Sequence, residues 1–244
     1  MNVQSIKAQL KELKMHTAYQ EIDSVVQKQN SKTIHFGWVA DLFSREIDAR
    51  KERAVQIRIM RADFPEITAL ETFDWQFNPS IDKDAVENLA TLDFVTHNQI
   101  VLLLGKPGTG KTHIATALGV KAVYQAHRVF STSLKRLIAL IATAKAKNTL
   151  DALFKKILSA RLWILDDWGI ITMQSHIAEE LFDLLDRRRH CGALILTSNR
   201  DVDEWHSMFP DPVIASAAID RIFDRPHIIT FDGDSYRLKG KRPI

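Results

Sequence analysis

One short stretch constrains this chain more than any other. Residues 105–112 read Gly-Lys-Pro-Gly-Thr-Gly-Lys-Thr, which satisfies G-x-x-x-x-G-K-[ST] at every fixed position. An apolar run at 100–104 leads into it, and Ile114 and Leu118 follow at helical spacing. Strand, glycine loop and helix are therefore expected in that order. Gly108 and Gly110 let the backbone turn its N–H groups around a phosphate with no Cβ in the way. The helix that opens at Lys111 adds its positive end. Lys111 supplies a point charge for β- and γ-phosphates, and the Thr112 hydroxyl supplies a ligand for Mg2+. The nucleotide-binding stretch thus comprises Gly105, Lys106, Pro107, Gly108, Thr109, Gly110, Lys111, Thr112 and the next residue, His113. A nucleoside triphosphate ligand follows from this motif.

The second informative stretch is 161–169, Arg-Leu-Trp-Ile-Leu-Asp-Asp-Trp-Gly. Four apolar residues run into two carboxylates. The pattern predicts a buried parallel strand ending in acids at its carboxyl end, where ligand sites of α/β sheets lie. Asp166 is placed to hold magnesium through water. Asp167 is placed to orient or deprotonate an attacking water. A further strand is expected in Ala-Leu-Ile-Leu-Thr-Ser-Asn-Arg at 193–200, finishing in Asn199. An amide there holds the attacking water, or senses the γ-phosphate, or is a strand-end turn residue.

Further strands are expected at 128–131 and 227–231, and helices at 83–96, 150–160, 174–190 and 214–223, with another from 134 in which Leu134, Leu137, Ile138 and Ile141 share a face. Ser131, Thr132 and Ser133 supply a helix cap before Leu134, and Gly192 supplies a helix stop. Five strands alternating with helices give an α/β fold, a parallel sheet between helical layers. The order of strands along the sheet is not legible from the pattern.

Residues 1–68 read as a small all-α domain, and 69–244 as the nucleotide-binding domain. Ile6, Leu10 and Leu13, then Ile22, Val25 and Val26, recur at helical spacing, with a polar break at 27–32. A longer helix is expected at 38–60, with Val39, Leu42, Phe43 and Ile47 on one face. Its charges are mixed, which fits a salt-laced helical module and a DNA- or partner-binding domain equally well. Between the domains, Phe73, Trp75 and Phe77 are core anchors, or in the case of Phe73 a surface on which an adenine stacks.

The net charge of +3 says little by itself. Its distribution says more: between 121 and 161 there are nine Lys or Arg and one acid, Asp151. That excess, with Lys135, Arg136, Lys145 and Lys147 at its centre, fits a polyanion such as DNA or a solvated helical face. One cysteine, Cys191, rules out an intrachain disulfide. No apolar run approaches the ~18 residues of a membrane span. A cytoplasmic protein with no membrane partner is expected.

Taken together these stretches resemble the AAA+ family, in the branch that holds the DnaC helicase loader and IstB-type helper ATPases of insertion-sequence transposases. The resemblance rests on LWILDDWG at 162–169, LILTSNR at 194–200, DPVIASAAIDRIFD at 211–224 and GDSYRLKGKR at 233–242, with LKELKMHTAY at 10–19 in support. It implies Walker A roles for Lys111 and Thr112, and Walker B roles for Asp166 and Asp167. It implies the first sensor at Asn199 and an arginine finger at Arg221, reaching into the neighbouring subunit's ATP. It implies a second sensor arginine at Arg237. It further implies ATP and Mg2+ as cofactors, duplex DNA and the transposase of the same element as partners, and a homo-oligomer joined through the ATP interface. Two departures stand out. The acid pair is Asp-Asp rather than Asp-Glu, a shorter reach that suits a slow timer. Only 13 residues follow Phe231, too few for the helical lid of larger relatives, and Arg237 is the assignment this affects.

Four functions compete on these residues. The preferred one is an ATP-driven, DNA-binding regulator of transposition. A replicative helicase loader shares the engine and differs in partner. A small-molecule kinase needs an acceptor site and a mobile lid, and neither is visible. A non-hydrolysing scaffold is opposed by the intact Lys111, Thr112, Asp166 and Asp167.

Overall fold

The structure is a computed structural model that describes residues 3–27 and 37–239. The polar break at 28–32, the tail at 240–244 and the side chains of Val25, Trp38, Val39 and Leu42 lie outside the described residues. The chain forms two compact units that divide between Ile57 and Arg58.

The first unit contains α1 (Val3–Glu12), α2 (His16–Gln27) and most of α3 (Gly37–Ala62). Ile6 and Leu10 are one helical turn apart and both buried, with Ala18, Ile22 and Phe43 packed against them. Ion pairs lace its surface: Lys51 with Glu12 at 3.2 Å, and Arg50 with Glu46 at 2.6 Å. Such exposed pairs contribute little each, about 0–1 kcal/mol.

The second unit is a five-stranded parallel sheet in the order β2-β3-β4-β1-β5. The strands are β1 (Ile100–Gly105), β2 (Val129–Ser133), β3 (Leu162–Trp168), β4 (Ala193–Ser198) and β5 (His227–Phe231). Helices α6 (Lys111–Tyr124), α7 (Leu134–Ala146), α8 (Leu150–Leu158), α9 (Ser175–Arg188) and α10 (Pro212–Ile222) connect them. The central strands carry apolar runs because both faces are covered; Val101, Leu102, Leu103, Ile195 and Leu196 are all buried. Because β1 lies between β4 and β5, the glycine loop at its carboxyl end opens beside the end of β4. β3, on the other side of β4, brings its acids to the same edge.

Four expectations are corrected. The helix expected at 83–96 is two pieces, α4 (Lys83–Leu89) and α5 (Asp93–Thr96), with Leu92 left-handed at φ +67° between them. Leu92, Phe94 and Val95 are all buried, and in one continuous helix Phe94 would point roughly 200° away from Leu92. The Thr91 hydroxyl assists the break by donating to Asn88 O at 2.8 Å. Strand β3 does not end in its acids but continues to Trp168. The register passes from Leu165↔Leu196 to Trp168↔Ser198, so Asp166 and Asp167 together oppose Thr197 in a bulge. The fully buried Trp168, edge-on to Trp205 at 5.8 Å, draws the chain back to the sheet.

The helix cap is Ser133, which accepts from Arg136 N at 3.3 Å, while Ser131 and Thr132 belong to β2. Finally, Gly192 is not a left-handed helix stop. A Cβ there would come 2.7 Å from Arg188 Nη2, so the glycine makes room for a buried arginine. Arg188 donates to the carbonyls of Ala160 (2.6 Å), Ile157 (3.3 Å) and Ala193 (3.1 Å). Burial holds its guanidinium down at about 10.

Candidate nucleotide-binding site

A cleft of about 550 Å³ opens along the carboxyl edge of the sheet. Its floor is the glycine loop and the first turn of α6. One wall is the segment 65–78; the others are Asp166, Asp167, Asn199 and the turn carrying Tyr236 and Arg237.

The loop needs its glycines for two reasons. Gly108 and Gly110 have φ of +78° and +106°, where a side chain is strained. A Cβ on Gly108 would also lie 2.1 Å from Ser235 Oγ, and one on Gly110 would lie 2.4 Å from Phe73 Cε2. Lys111 is buried, and its ammonium folds back on the loop, donating to Gly105 O (2.7 Å) and Lys106 O (2.6 Å). Burial pulls its pKa down to about 8, against the opposing charges of Asp166 and Asp167. Thr109 Oγ1 steadies the turn by donating to Lys106 O at 2.8 Å.

The acids sit opposite. Thr112 Oγ1 donates to Asp166 Oδ1 at 2.9 Å, and Thr197 Oγ1 donates to the same oxygen at 2.5 Å. Asp167 is left-handed, φ +60°, and its backbone N–H is taken by Thr197 Oγ1 at 3.0 Å. Asn199 Nδ2 is 3.5 Å from Asp167 Oδ1. Burial, then the neighbouring Asp166, raises the Asp167 pKa; Arg237, Lys111 and Asn199 oppose that shift. The oxygens of Thr112 and Asp166 are a hard donor set on one side of the cleft. Mg2+ held by one carboxylate, one hydroxyl and substrate phosphates fits such a set.

The structure thus brings Lys111, Thr112, Asp166, Asp167, Asn199 and Arg237 to one cleft. Phe73 also lines it, stacked edge-on against Trp75 at 4.7 Å and His113 at 5.4 Å, so it is both a packing anchor and part of the wall. His113 points its Nε2 at Ala69 O, 3.0 Å away, and so ties α6 to the wall segment.

Arg221 is not in the cleft. It lies on α10, paired with Asp186 (2.7 Å) and Asp220 (2.9 Å), chiefly Asp186 holding its guanidinium above the ordinary value. The four central basic residues divide. Arg136 pairs with Asp63 at 2.6 Å and Lys145 with Glu180 at 2.6 Å. Lys135 and Lys147 are exposed, with no ion pair among the described residues.

Two features escaped the sequence reading. One is Thr197, whose polar side chain inside an apolar strand was its only signal. The other is the segment after β5, which runs along the cleft as a strap. Tyr236 N donates to Gly108 O at 2.8 Å. The buried Asn78 side chain pairs with both backbone groups of Asp234, each at 3.1 Å. Lys239 pairs with Asp74 at 2.8 Å, and Tyr236 stacks edge-on against Phe77 at 5.0 Å. No helix among the described residues is long and apolar enough to cross a membrane.

The family model for the IstB-like ATP binding protein matches residues 8–243. A Pseudomonas aeruginosa protein named for ATP binding in insertion sequence IS21 is 39% identical over 234 residues, 96% of this chain and 88% of that one. A Mycobacterium tuberculosis protein, named likewise for ATP binding in an insertion sequence, is 30% identical over 241 residues, 98% and 96% of the two chains. Among solved structures, the replication initiator DnaA bound to AMPPCP and single-stranded DNA superposes with a TM-score of 0.57 at 19% identity. That match covers 72% of this chain and 54% of DnaA. The DnaC helicase loader superposes at 0.54 with 18% identity, covering 68% and 97%. Those two likenesses establish the fold alone, a parallel α/β sheet between helices shared with DnaA and DnaC. From the glycine loop, the acid pair and a match that spans nearly its whole length, the chain belongs to the IstB-like ATP-binding family of insertion sequences.

Proposed function

We propose that this protein is an ATP-driven switch of transposition. It binds ATP and Mg2+ in the cleft, assembles as a homo-oligomer on duplex DNA, recruits the transposase of its element, and resets by hydrolysis. The observation that carries the reading is the convergence of Lys111, Thr112, Asp166, Asp167 and Asn199 on one cleft. A scaffold that only bound nucleotide would need the first two and not an acid held beside an amide.

The residues divide the work. Lys111 leaves the carbonyls of Gly105 and Lys106 for the β- and γ-phosphates, whose charge replaces what burial removed. Thr112 and Asp166 are the groups to hold Mg2+, which when bound neutralises phosphate oxygens. Asp167, raised by burial, is suited to accept a proton from water, and Asn199 orients that carboxylate. Arg237 faces the same charges from the strap. Arg221 stands outside its own chain's cleft, where a residue serving a neighbouring copy's ATP has to stand. It would exchange Asp186 and Asp220 for the γ-phosphate. Lys135 and Lys147, exposed and without carboxylate partners among the described residues, are the better DNA contacts of the basic segment. Arg136 and Lys145 join them only by giving up Asp63 and Glu180. Contacts of this kind go to phosphates and carry slight sequence preference.

The experiment is ATP turnover measured with and without duplex DNA across a range of protein concentration. Turnover that rises with both supports the reading. Turnover indifferent to both contradicts it.

A further inference from the structure

Thr197 is two residues before Asn199 on β4, with only 1% of its surface exposed. Its hydroxyl makes two contacts at once, donating to Asp166 Oδ1 (2.5 Å) and accepting from Asp167 N (3.0 Å). One proton and two lone pairs allow both. Thr197 is also the residue that faces the bulge, one residue against Asp166 and Asp167. A bulge takes a backbone N–H off the ladder, and here the orphan belongs to Asp167. The Thr197 hydroxyl supplies the partner that the β4 backbone does not.

The far side of the bulge is fixed in the same manner. Ser198 Oγ donates to Trp168 O at 2.9 Å and accepts from Trp205 Nε1 at 3.2 Å. Two neighbouring hydroxyls of β4 therefore hold the chain before and after the left-handed turn at Asp167. That turn is uncommon for a residue with a Cβ, though Asp is among the more tolerant, and these hydrogen bonds hold it in place. It is also what points the Asp167 carboxylate at Asn199. Of the two hydroxyls that donate to Asp166, Thr112 is the one assigned to the ion. Thr197 has no other task.

We propose that Thr197 is a positioning residue for the acid pair. It orients the Asp166 carboxylate toward Thr112 and fixes Asp167 at the bulge, so that both acids keep their aim whether or not nucleotide is bound. The proposal rests on the reading of the cleft as an ATPase site.

The test compares Thr197→Val, which keeps the shape and removes both contacts, with Thr197→Ser, which keeps the hydroxyl. Two properties of the full chain are read. One is ATP turnover, resolved into kcat and KM. The other is binding of a fluorescent ATP analogue in EDTA and against increasing Mg2+. Partners of this kind typically govern activity or metal affinity by about 10–100-fold. Thr197→Val is expected to lower kcat by about that factor and to raise the Mg2+ needed for half-maximal binding by about tenfold. Binding in EDTA should stay as in the wild type, and Thr197→Ser should recover most of both losses.

Wild-type kcat and Mg2+ dependence in Thr197→Val would overturn the proposal. So would equal loss of binding in EDTA, or a serine variant as impaired as the valine one. If Thr197→Val does not fold, Thr197→Ala takes its place. A wild type that binds the analogue with Mg2+ yet hydrolyses nothing would sink the ATPase reading alone, since the Mg2+ titration still reads Thr197.

Discussion

The backbone N–H of Tyr236 donates to the carbonyl of Gly108 at 2.8 Å, so the last segment of the chain is hydrogen-bonded to the phosphate loop itself. The segment after β5 therefore borders the nucleotide cleft, with Tyr236 and Arg237 among its lining residues. The Ser235 side chain occupies the space a Cβ on Gly108 would need, and Arg237 follows two residues later, facing Asp167 and Lys111.

Asn78 pins that strap, and its removal should loosen the cleft. The side chain makes two hydrogen bonds to Asp234 in a buried position. At about 1 kcal/mol each, Asn78→Ala should cost about 2 kcal/mol of stability and weaken ATP-analogue binding. Thermal melting and equilibrium binding check both. An unchanged affinity would show that the strap does not support the cleft.

Lys111 should make nucleotide binding take up protons. Its pKa of about 8 lies below the ordinary 10.5 because the ammonium is buried. Two consequences follow. Without ligand, the folded protein holds fewer protons than the unfolded chain between those two values, so stability should rise with pH across that window. A triphosphate restores the charge, so binding at pH 8–9 should be accompanied by proton uptake. Calorimetry in buffers of different ionisation heat reads this directly, and Lys111→Ala should abolish both binding and uptake.

Asp167→Asn should separate binding from turnover. The amide keeps the shape and loses the base, so ATP-analogue binding should persist while hydrolysis falls by about 10²–10⁴, the range of general base catalysis. Retained turnover would remove Asp167 from the proposed role.

Arg221→Ala should leave nucleotide binding by the isolated subunit intact, since the side chain lies on α10 outside its own cleft. Turnover by the assembled protein should drop by about 10³–10⁵, as for arginines supplied in trans. Single-subunit binding and DNA-stimulated turnover, measured side by side, check this. A variant that hydrolyses normally is not missing its finger.

How far the sequence could be read depended on how local each constraint is. Gly108, Gly110, Lys111 and Thr112 are legible because a phosphate cradle demands those residue types at fixed spacing within one loop. Asp166 and Asp167 are legible because acids after an apolar run mark a strand end. That the strand goes on was hidden, since it depends on Trp168 meeting Trp205, which is 37 residues away in the chain. The break at Leu92 was hidden for a like reason: periodicity alone does not show that Phe94 and Val95 are buried together. Gly192 looked like a helix stop until Arg188 was seen to fill the space beside it. Thr197 and Asn78 act on residues 30 and 156 positions away, and no single stretch carries that signal. Arg221 and Arg237 came from the resemblance. The structure puts Arg237 at the cleft and Arg221 outside it.

The central claim is that nucleotide governs assembly on DNA. The direct measurement is sedimentation, with electron microscopy of the same samples, of the full chain on duplex DNA with and without a non-hydrolysable ATP analogue. Multi-copy complexes on the duplex only when the analogue is present, and none with Lys111→Ala, is the expected result. Equal assembly without nucleotide would contradict it.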